Sequence, residues 1–207
     1  MIILHHLNQS RSLRILWLLE ELQQPYQLKT YARNANTRLA PPKLKHIHPL
    51  GKSPILELNG KVIAESGAIV ELLIQKFAPH LAPTPDTDAY MDYLQWIHFS
   101  ESSAMVPYLL TIFNGIEKQK GTQLQFLDQY AYNELHKVFA YLDQSLAGKQ
   151  FLVENRLTGA DFMLGFVVQG VIYHLQLAEQ YPNIAQYLKN LEALPSWKRA
   201  LDIEQNL

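Results

Sequence analysis

Leu50-Gly51-Lys52-Ser53-Pro54-Ile55-Leu56-Glu57-Leu58-Asn59-Gly60-Lys61-Val62-Ile63-Ala64-Glu65-Ser66-Gly67 is the stretch on which the reading of the fold turns. Two short apolar runs, Pro54–Leu58 and Lys61–Ala64, flank Asn59-Gly60. Asn-Gly is the dipeptide a two-residue hairpin wants, because both central residues must take positive φ. Pro54 stands at the mouth of the first strand. Ser66 stands where the spacing changes to that of a helix, with Ile69, Val70, Leu73 and Phe77 on one side. The passage therefore reads strand, tight turn, strand, helix.

Working upstream, Ile2–His6 is an apolar run compatible with a buried strand, and Tyr26–Tyr31 reads as a second strand after Pro25. Between them Ile15, Leu16, Leu19 and Leu22 share a helical face, with Ser10 or Ser12 suited to cap the helix. Residues 37–48 suggest a short, irregular helix entered through Pro41-Pro42. The first eighty residues thus spell βαβαββα. Downstream, residues 78–86 carry three prolines in nine positions, a density that disfavours both helix and strand and suggests a stiff linker. Beyond it the apolar period is helical throughout, predicting helices near 86–112, 120–147, 158–178, 183–193 and 196–205. The expected organisation is a domain over 1–78, a linker over 79–86 and an all-helical domain over 87–207.

Composition removes several function classes. The chain of 207 residues has 18 basic and 19 acidic side chains, so it offers no electrostatic footprint for nucleic acid or an anionic membrane. It has no cysteine, which excludes disulfide scaffolding, Cys-rich zinc sites and redox chemistry by a protein thiol. Any sulfur chemistry must use a sulfur that the ligand brings. The eight histidines form no metal-ligand pattern: His5-His6 lie in a strand and His46 and His48 in a loop. Met1–His6 lacks the basic and apolar regions of a signal peptide, and no apolar run is long enough to span a bilayer, so a cytoplasmic protein is expected.

Four local features carry the chemistry. A trans bond at Ser53-Pro54 merely begins an edge strand, whereas a cis bond turns the Ser53 main chain outward, able to pair with an extended peptide. Ser66 starts a helix whose free N–H groups suit a carboxylate, and Glu65 beside it suits an ammonium group; the plainer alternative is an ordinary cap with a solvated Glu. Asn8-Gln9-Ser10-Arg11-Ser12 follows the first strand and offers two hydroxyls as hydrogen-bond donors to an anion. Thr158 and Asp161 form a capping-box variant, with Leu157 and Phe162 spaced as its hydrophobic staple, and this feature is structural.

In this order and spacing the features resemble the cytosolic glutathione transferases, over essentially the whole chain. The closest local likeness is to bacterial and fungal members with a run such as His6-Leu7-Asn8-Gln9-Ser10-Arg11-Ser12 followed by Ile15-Leu16-Trp17-Leu18-Leu19-Glu20-Glu21-Leu22. Leu39-Ala40-Pro41-Pro42 through His48-Pro49-Leu50-Gly51-Lys52-Ser53-Pro54 looks like the same subgroup. The resemblance implies a thioredoxin-like βαβαββα domain followed by an all-helical one, and a cis bond before Pro54. It implies glutathione as co-substrate, with no metal: Glu65 and Ser66 at its γ-glutamyl end, the Ser53 backbone before Pro54 at its cysteinyl unit, and Lys52, helped by Arg38, near its glycyl carboxylate.

The activity implied is thiolate formation, then attack on a small hydrophobic electrophile or reduction of a hydroperoxide, a detoxifying chemistry. A free thiol titrates near ~8.5. Lowering that by about two units takes ~2.7 kcal/mol, the size of one or two charge-assisted hydrogen bonds aided by a helix N-terminus. Many family members use a tyrosine as donor. Here no tyrosine precedes Tyr26, so the donor is serine-like: Ser10 first, four residues before Arg14 as in serine-type members, with Ser12, Asn8 and Arg11 as other candidates. Trp96, Phe99, Met105, Tyr108 and Phe113 are candidates for an apolar pocket, though helical spacing suits them equally to a core. The resemblance also implies a homodimer. The competing reading is a binding, stress or regulatory protein that keeps the fold and has lost catalysis.

Overall fold

The computed structural model describes residues 1–35, 37 and 39–207. Four strands form one sheet: β1 (Ile2–Leu7), β2 (Tyr26–Tyr31), β3 (Ile55–Leu58) and β4 (Lys61–Ala64), in spatial order β2-β1-β3-β4. β1 runs parallel to β2, from Ile2↔Tyr26 to Leu7↔Tyr31, and antiparallel to β3, from Ile2↔Leu58 to His5↔Ile55. Helix α1 (Ser12–Leu22) makes the crossover that a parallel pair requires. β3 and β4 form the expected hairpin, with Asn59 at φ 51° and Gly60 at φ 83° supplying the turn. Helix α2 (Ser66–Phe77) follows, burying Ile69, Val70, Leu73 and Ile74. The irregular helix expected over 37–48 is a single 3-10 turn, Pro42–His46. The thioredoxin-like βαβαββα order therefore holds.

Five further α-helices follow α2 up to Ala193: α3 (Asp88–Phe99), α4 (Met105–Gln119), α5 (Gln125–Ser145), α6 (Gly159–Gln169) and α7 (Pro182–Ala193). Two expected helices are interrupted. The one predicted over 86–112 widens into a π-helical turn at Ser100–Ala104, then continues to Gln119. Ser100 Oγ donates to the Trp96 carbonyl and Ser102 Oγ to the His98 carbonyl, both at 2.8 Å, so hydroxyls compete for the acceptors a regular turn uses. The helix predicted over 158–178 ends as a π turn at Gly170–His174. There the Tyr108 hydroxyl lies where a Cβ on residue 170 would sit, 2.3 Å away, which only glycine accommodates.

Helix α8 (Pro195–Gln205) ends the chain. Contacts divide the molecule into Met1–Ala82 together with Leu191–Leu207, and Pro83–Asn190. The sequence reading places all of 87–207 in one helical domain; in the structure Leu191–Leu207 joins the sheet. The reason is α1, whose residues Ser12 through Leu19 are all buried, so that one apolar face does not describe it. α8 covers its other side: Trp197 stands edge-on to Trp17 at 4.6 Å, and Trp17 Nε1 donates to Ser196 Oγ at 3.1 Å. Arg199 Nη2 donates to the Glu20 carbonyl at 2.7 Å. Among the described residues no helix is long and apolar enough to cross a membrane.

The capping box at the start of α6 forms as expected between Thr158 and Asp161. Asp161 is fully buried, and burial lifts its carboxyl from 3.8 to about 6. Hydrogen bonds from the Tyr187 hydroxyl (2.7 Å), the Thr158 N–H (2.7 Å) and the Thr158 hydroxyl (3.0 Å) pull the other way. Because the unfolded carboxyl ionises first, the folded chain holds more protons between about pH 4 and about pH 6, and stability falls as pH rises through that window. Urea unfolding of the wild type and Asp161→Asn should show the wild type losing about 2–3 kcal/mol relative to the variant between about pH 4 and about pH 7. Parallel pH profiles would refute this assignment.

Candidate functional site

The carboxyl end of β1 gathers the site. The β1–β3 ladder stops at His5↔Ile55, so the groups of Leu7 on that side need other partners. Hydroxyls supply them. The Leu7 N–H is shared between Ser12 Oγ and Ser53 Oγ, each at 3.2 Å. The Leu7 carbonyl accepts from Ser10 Oγ at 2.7 Å and from Ser12 Oγ at 3.1 Å. Ser53 Oγ also donates to the His5 carbonyl at 3.0 Å. Three serines from two separate segments are thus fixed around one residue at the end of the central strand, the place where open α/β sheets bind ligands.

Ser10 is 6% exposed, and its Oγ lies 2.9 Å from Ser12 Oγ and accepts from the Ser12 N–H at 3.2 Å. It sits just before the first turn of α1, where the Ser10 carbonyl accepts from the Leu13 N–H at 3.1 Å and the helix dipole is positive. Ser12 is fully buried and is the better tied of the two. The other donor candidates differ in setting. Asn8 Oδ1 accepts from the Arg33 N–H at 3.1 Å, and Arg11 occupies the N-cap position of α1.

The peptide between Ser53 and Pro54 is cis, as the resemblance implies. Pro54 is buried; Lys52 beside it is exposed. The turn into this segment passes through Gly51 at φ 58°, where an added Cβ would come within 2.7 Å of the Lys45 side chain.

At the start of α2, Glu65 rather than Ser66 occupies the N-cap position, and Ser66 is the first helical residue. Ser66 Oγ is not a cap; it accepts from Arg14 Nη1 at 2.9 Å, tying α2 to α1 by a buried guanidinium. The N–H groups of Ser66, Gly67 and Ala68 precede the first helical bond, from Ile69 N–H to the Glu65 carbonyl. Glu65 is exposed and takes φ 70°, ψ 111°, a conformation that costs a side-chain-bearing residue on the order of 1–3 kcal/mol. Arg38 lies outside the described residues. Trp96, Met105 and Tyr108 are buried, Phe113 is exposed, and Phe99 lines a cavity of about 350 Å³ with Val106, Pro107, Tyr130 and Tyr141.

One pair of site residues has no counterpart in the sequence reading. His6 and His5 point to opposite sides of β1, as neighbours on a strand must. His5 meets Tyr31 and Glu57. His6, fully buried, sets Nδ1 2.9 Å from Ser12 Oγ and Nε2 in close contact with Glu204 Oε2 of α8. Glu204 Oε1 in turn accepts from the Gln9 N–H at 2.6 Å, across 195 residues of sequence. Only the polar character of an otherwise apolar strand hinted at this, and nothing local pointed to Glu204.

The family model described as glutathione S-transferase, N-terminal domain, matches residues 1–75, and the one described as glutathione S-transferase, C-terminal domain, matches residues 105–201. The chain is 32% identical to glutathione S-transferase 3 of Schizosaccharomyces pombe, over all of this chain and 89% of that one. It is 30% identical to glutathione S-transferase 1 of Saccharomyces cerevisiae, over 93% and 91%. A crystal structure of a glutathione S-transferase from Actinobacillus pleuropneumoniae superposes with a TM-score of 0.88 at 37% identity, covering 99% of this chain and 93% of that one.

The Arg14–Ser66 bond yields a stability prediction. Ser66→Ala withdraws an acceptor from a buried cation and should cost about 1–3 kcal/mol. Chemical unfolding measures it, and an unchanged midpoint would show that the bond adds nothing.

Proposed function

The chain belongs to the glutathione S-transferase family, and we propose that it activates glutathione through Ser10 for attack on small hydrophobic electrophiles. In this reading glutathione lies extended across the carboxyl end of β1. The Ser53 main chain, beyond the last β1–β3 pair, takes its cysteinyl unit like an added strand. Glu65 receives the γ-glutamyl ammonium, and the first turn of α2 with Ser66 receives the neighbouring carboxylate. Lys52, exposed beside Ser53, meets the glycyl carboxylate. The charges match: two carboxylates and one ammonium against one Lys, one helix N-terminus and one Glu. The costly backbone conformation of Glu65 fits a residue held for a ligand.

The observation that carries the reading is the clustering of Ser10, Ser12 and Ser53 around Leu7. It puts a fixed hydroxyl next to the main chain that would hold the cysteinyl unit. The Ser10 O–H turns from the Leu7 carbonyl to the sulfur and holds it as thiolate. The thiolate pair of electrons then forms the C–S bond while the leaving group departs with its own pair. With a hydroperoxide, sulfur attack breaks the O–O bond, and a second glutathione yields the disulfide, an alcohol and water. The protein works in the cytoplasm as a homodimer and should elute in gel filtration at twice the mass of one chain; elution as a single chain would refute the dimer.

Ser10→Ala should keep glutathione affinity within about twofold and lose roughly 10–100-fold in kcat/KM for conjugation of an aryl halide. Steady-state rates beside glutathione titration measure this. An unchanged rate would sink the assignment of Ser10. Retention of the wild type on glutathione-agarose without turnover of aryl halides, epoxides, isothiocyanates or hydroperoxides would favour a binding protein instead.

A further inference from the structure

We propose that the thiol proton of glutathione is taken up by His6 through Ser10 and Ser12, with Glu204 holding the imidazole for the task. This rests on the reading of Ser10 above and adds the destination of the proton.

The geometry is a continuous chain. Ser10 Oγ lies 2.9 Å from Ser12 Oγ, and Ser12 Oγ lies 2.9 Å from His6 Nδ1. His6 Nε2 contacts Glu204 Oε2. The Ser10–Ser12 and Ser12–His6 steps are within hydrogen-bond reach, and the His6–Glu204 step is a close ion-pair contact without hydrogen-bond alignment. A carboxylate at Nε2 keeps the hydrogen of a neutral imidazole on that nitrogen, so Nδ1 accepts from the Ser12 hydroxyl. His6 is fully buried and the Glu204 side chain is 13% exposed, so the pair is shielded from bulk water.

The proton balance is complete within the chain. The sulfur gives its proton to Ser10 Oγ, the Ser10 hydrogen passes to Ser12 Oγ, and the Ser12 hydrogen passes to His6 Nδ1. No other bond to a heavy atom changes. Afterwards Nδ1–H donates to Ser12, Ser12 donates to Ser10, and Ser10 donates to the thiolate. Every hydroxyl has reversed direction, and the negative sulfur faces a donor. The imidazolium lies against the Glu204 carboxylate, which offsets the cost of a buried charge. The Leu7 N–H keeps Ser12 Oγ and Ser53 Oγ as acceptors throughout, while the Leu7 carbonyl yields the Ser10 and Ser12 hydrogens to the relay.

Among the described residues, Glu204 is the carboxylate in ion-pair contact with His6. On its own strand His5 faces Glu57 and Tyr31 on the opposite side of the sheet. On α1, Arg14 is directed at Ser66, and Glu20 meets Arg199 of α8. On β2 and its continuation, Lys29 lies near Glu57, and the Arg33 guanidinium donates to the carbonyls of Asn8 and Gln9. His6 and Glu204 are positioning residues, since neither touches the sulfur.

The test measures the thiolate of bound glutathione by its ultraviolet absorbance across pH, with steady-state kinetics, in Glu204→Gln, Ser12→Ala and Ser10→Ala. Gln keeps an acceptor for the Gln9 N–H, and Ser12→Ala leaves Leu7 its bonds to Ser53 and Ser10. Glu204→Gln should keep the KM for glutathione within about twofold, lower kcat roughly tenfold at neutral pH and move the thiolate titration up by about one pH unit. Ser12→Ala should give the same upward displacement. A titration unmoved in both, with Ser10→Ala losing the thiolate signal, would overturn the relay and leave Ser10 standing. A signal intact in Ser10→Ala would overturn the reading of Ser10, and the relay with it.

Discussion

The carboxyl end of β1 is the constraint from which the rest of the site follows. β1 is hydrogen-bonded on both edges and buried along its whole length. Its neighbour β3 enters late, so the antiparallel ladder stops at His5 while the strand continues to Leu7. A buried N–H and C=O left there without partners would cost about 1–3 kcal/mol each. Serine hydroxyls answer both, because each can donate and accept at once. The architecture that completes the central strand is therefore the same one that concentrates hydroxyls beside the start of α1. Stability and the proposed chemistry draw on a single set of atoms.

α8 closes that end of the sheet from outside the local sequence. Packing Trp197 against Trp17 makes α1 a helix buried on every side over its first two turns. It also delivers Glu204 to His6 and to the Gln9 N–H. The loop carrying Ser10 is consequently held at three points: by Leu7 at its root, by Arg33 from beyond β2 and by Glu204 from α8. A serine hydroxyl rotates freely, so its usefulness as a donor depends on what fixes the loop and what competes for its hydrogen. Here both are set by residues distant in sequence.

Much of this was legible in the sequence where the signal is local. Asn59-Gly60 between two apolar runs forces its own turn, Thr158 and Asp161 cap their own helix, and the period of α2 shows its buried face. What was illegible is of another kind. The π turns at Ser100–Ala104 and Gly170–His174 depend on how serine hydroxyls and a packed tyrosine meet the backbone, which apolar spacing does not encode. The burial of both faces of α1 depends on a helix near the other terminus. Ser66 looked like a cap because its residue type suits one, yet a buried arginine from α1 claims its hydroxyl. His6 looked like a strand residue of no consequence, because its meaning lies in Glu204.

The absence of cysteine and of an early tyrosine narrows the physics to a weak donor made effective by its surroundings. A phenol is an intrinsically better donor to sulfur than an alkyl hydroxyl, so a serine needs help to supply the ~2.7 kcal/mol that two units of thiol acidity require. In the proposed site, help comes from the partial positive charge at the start of α1 and from polarisation along a row of hydroxyls. A row of this kind strengthens its terminal donor only if its far end is anchored by something that can accept or return a hydrogen. Ser10 and Ser12 alone would be a dead end against the Leu7 carbonyl. With an imidazole behind them and a carboxylate behind that, the row has a direction, and the proposed donor becomes the ligand-side end of a buried acid–base system.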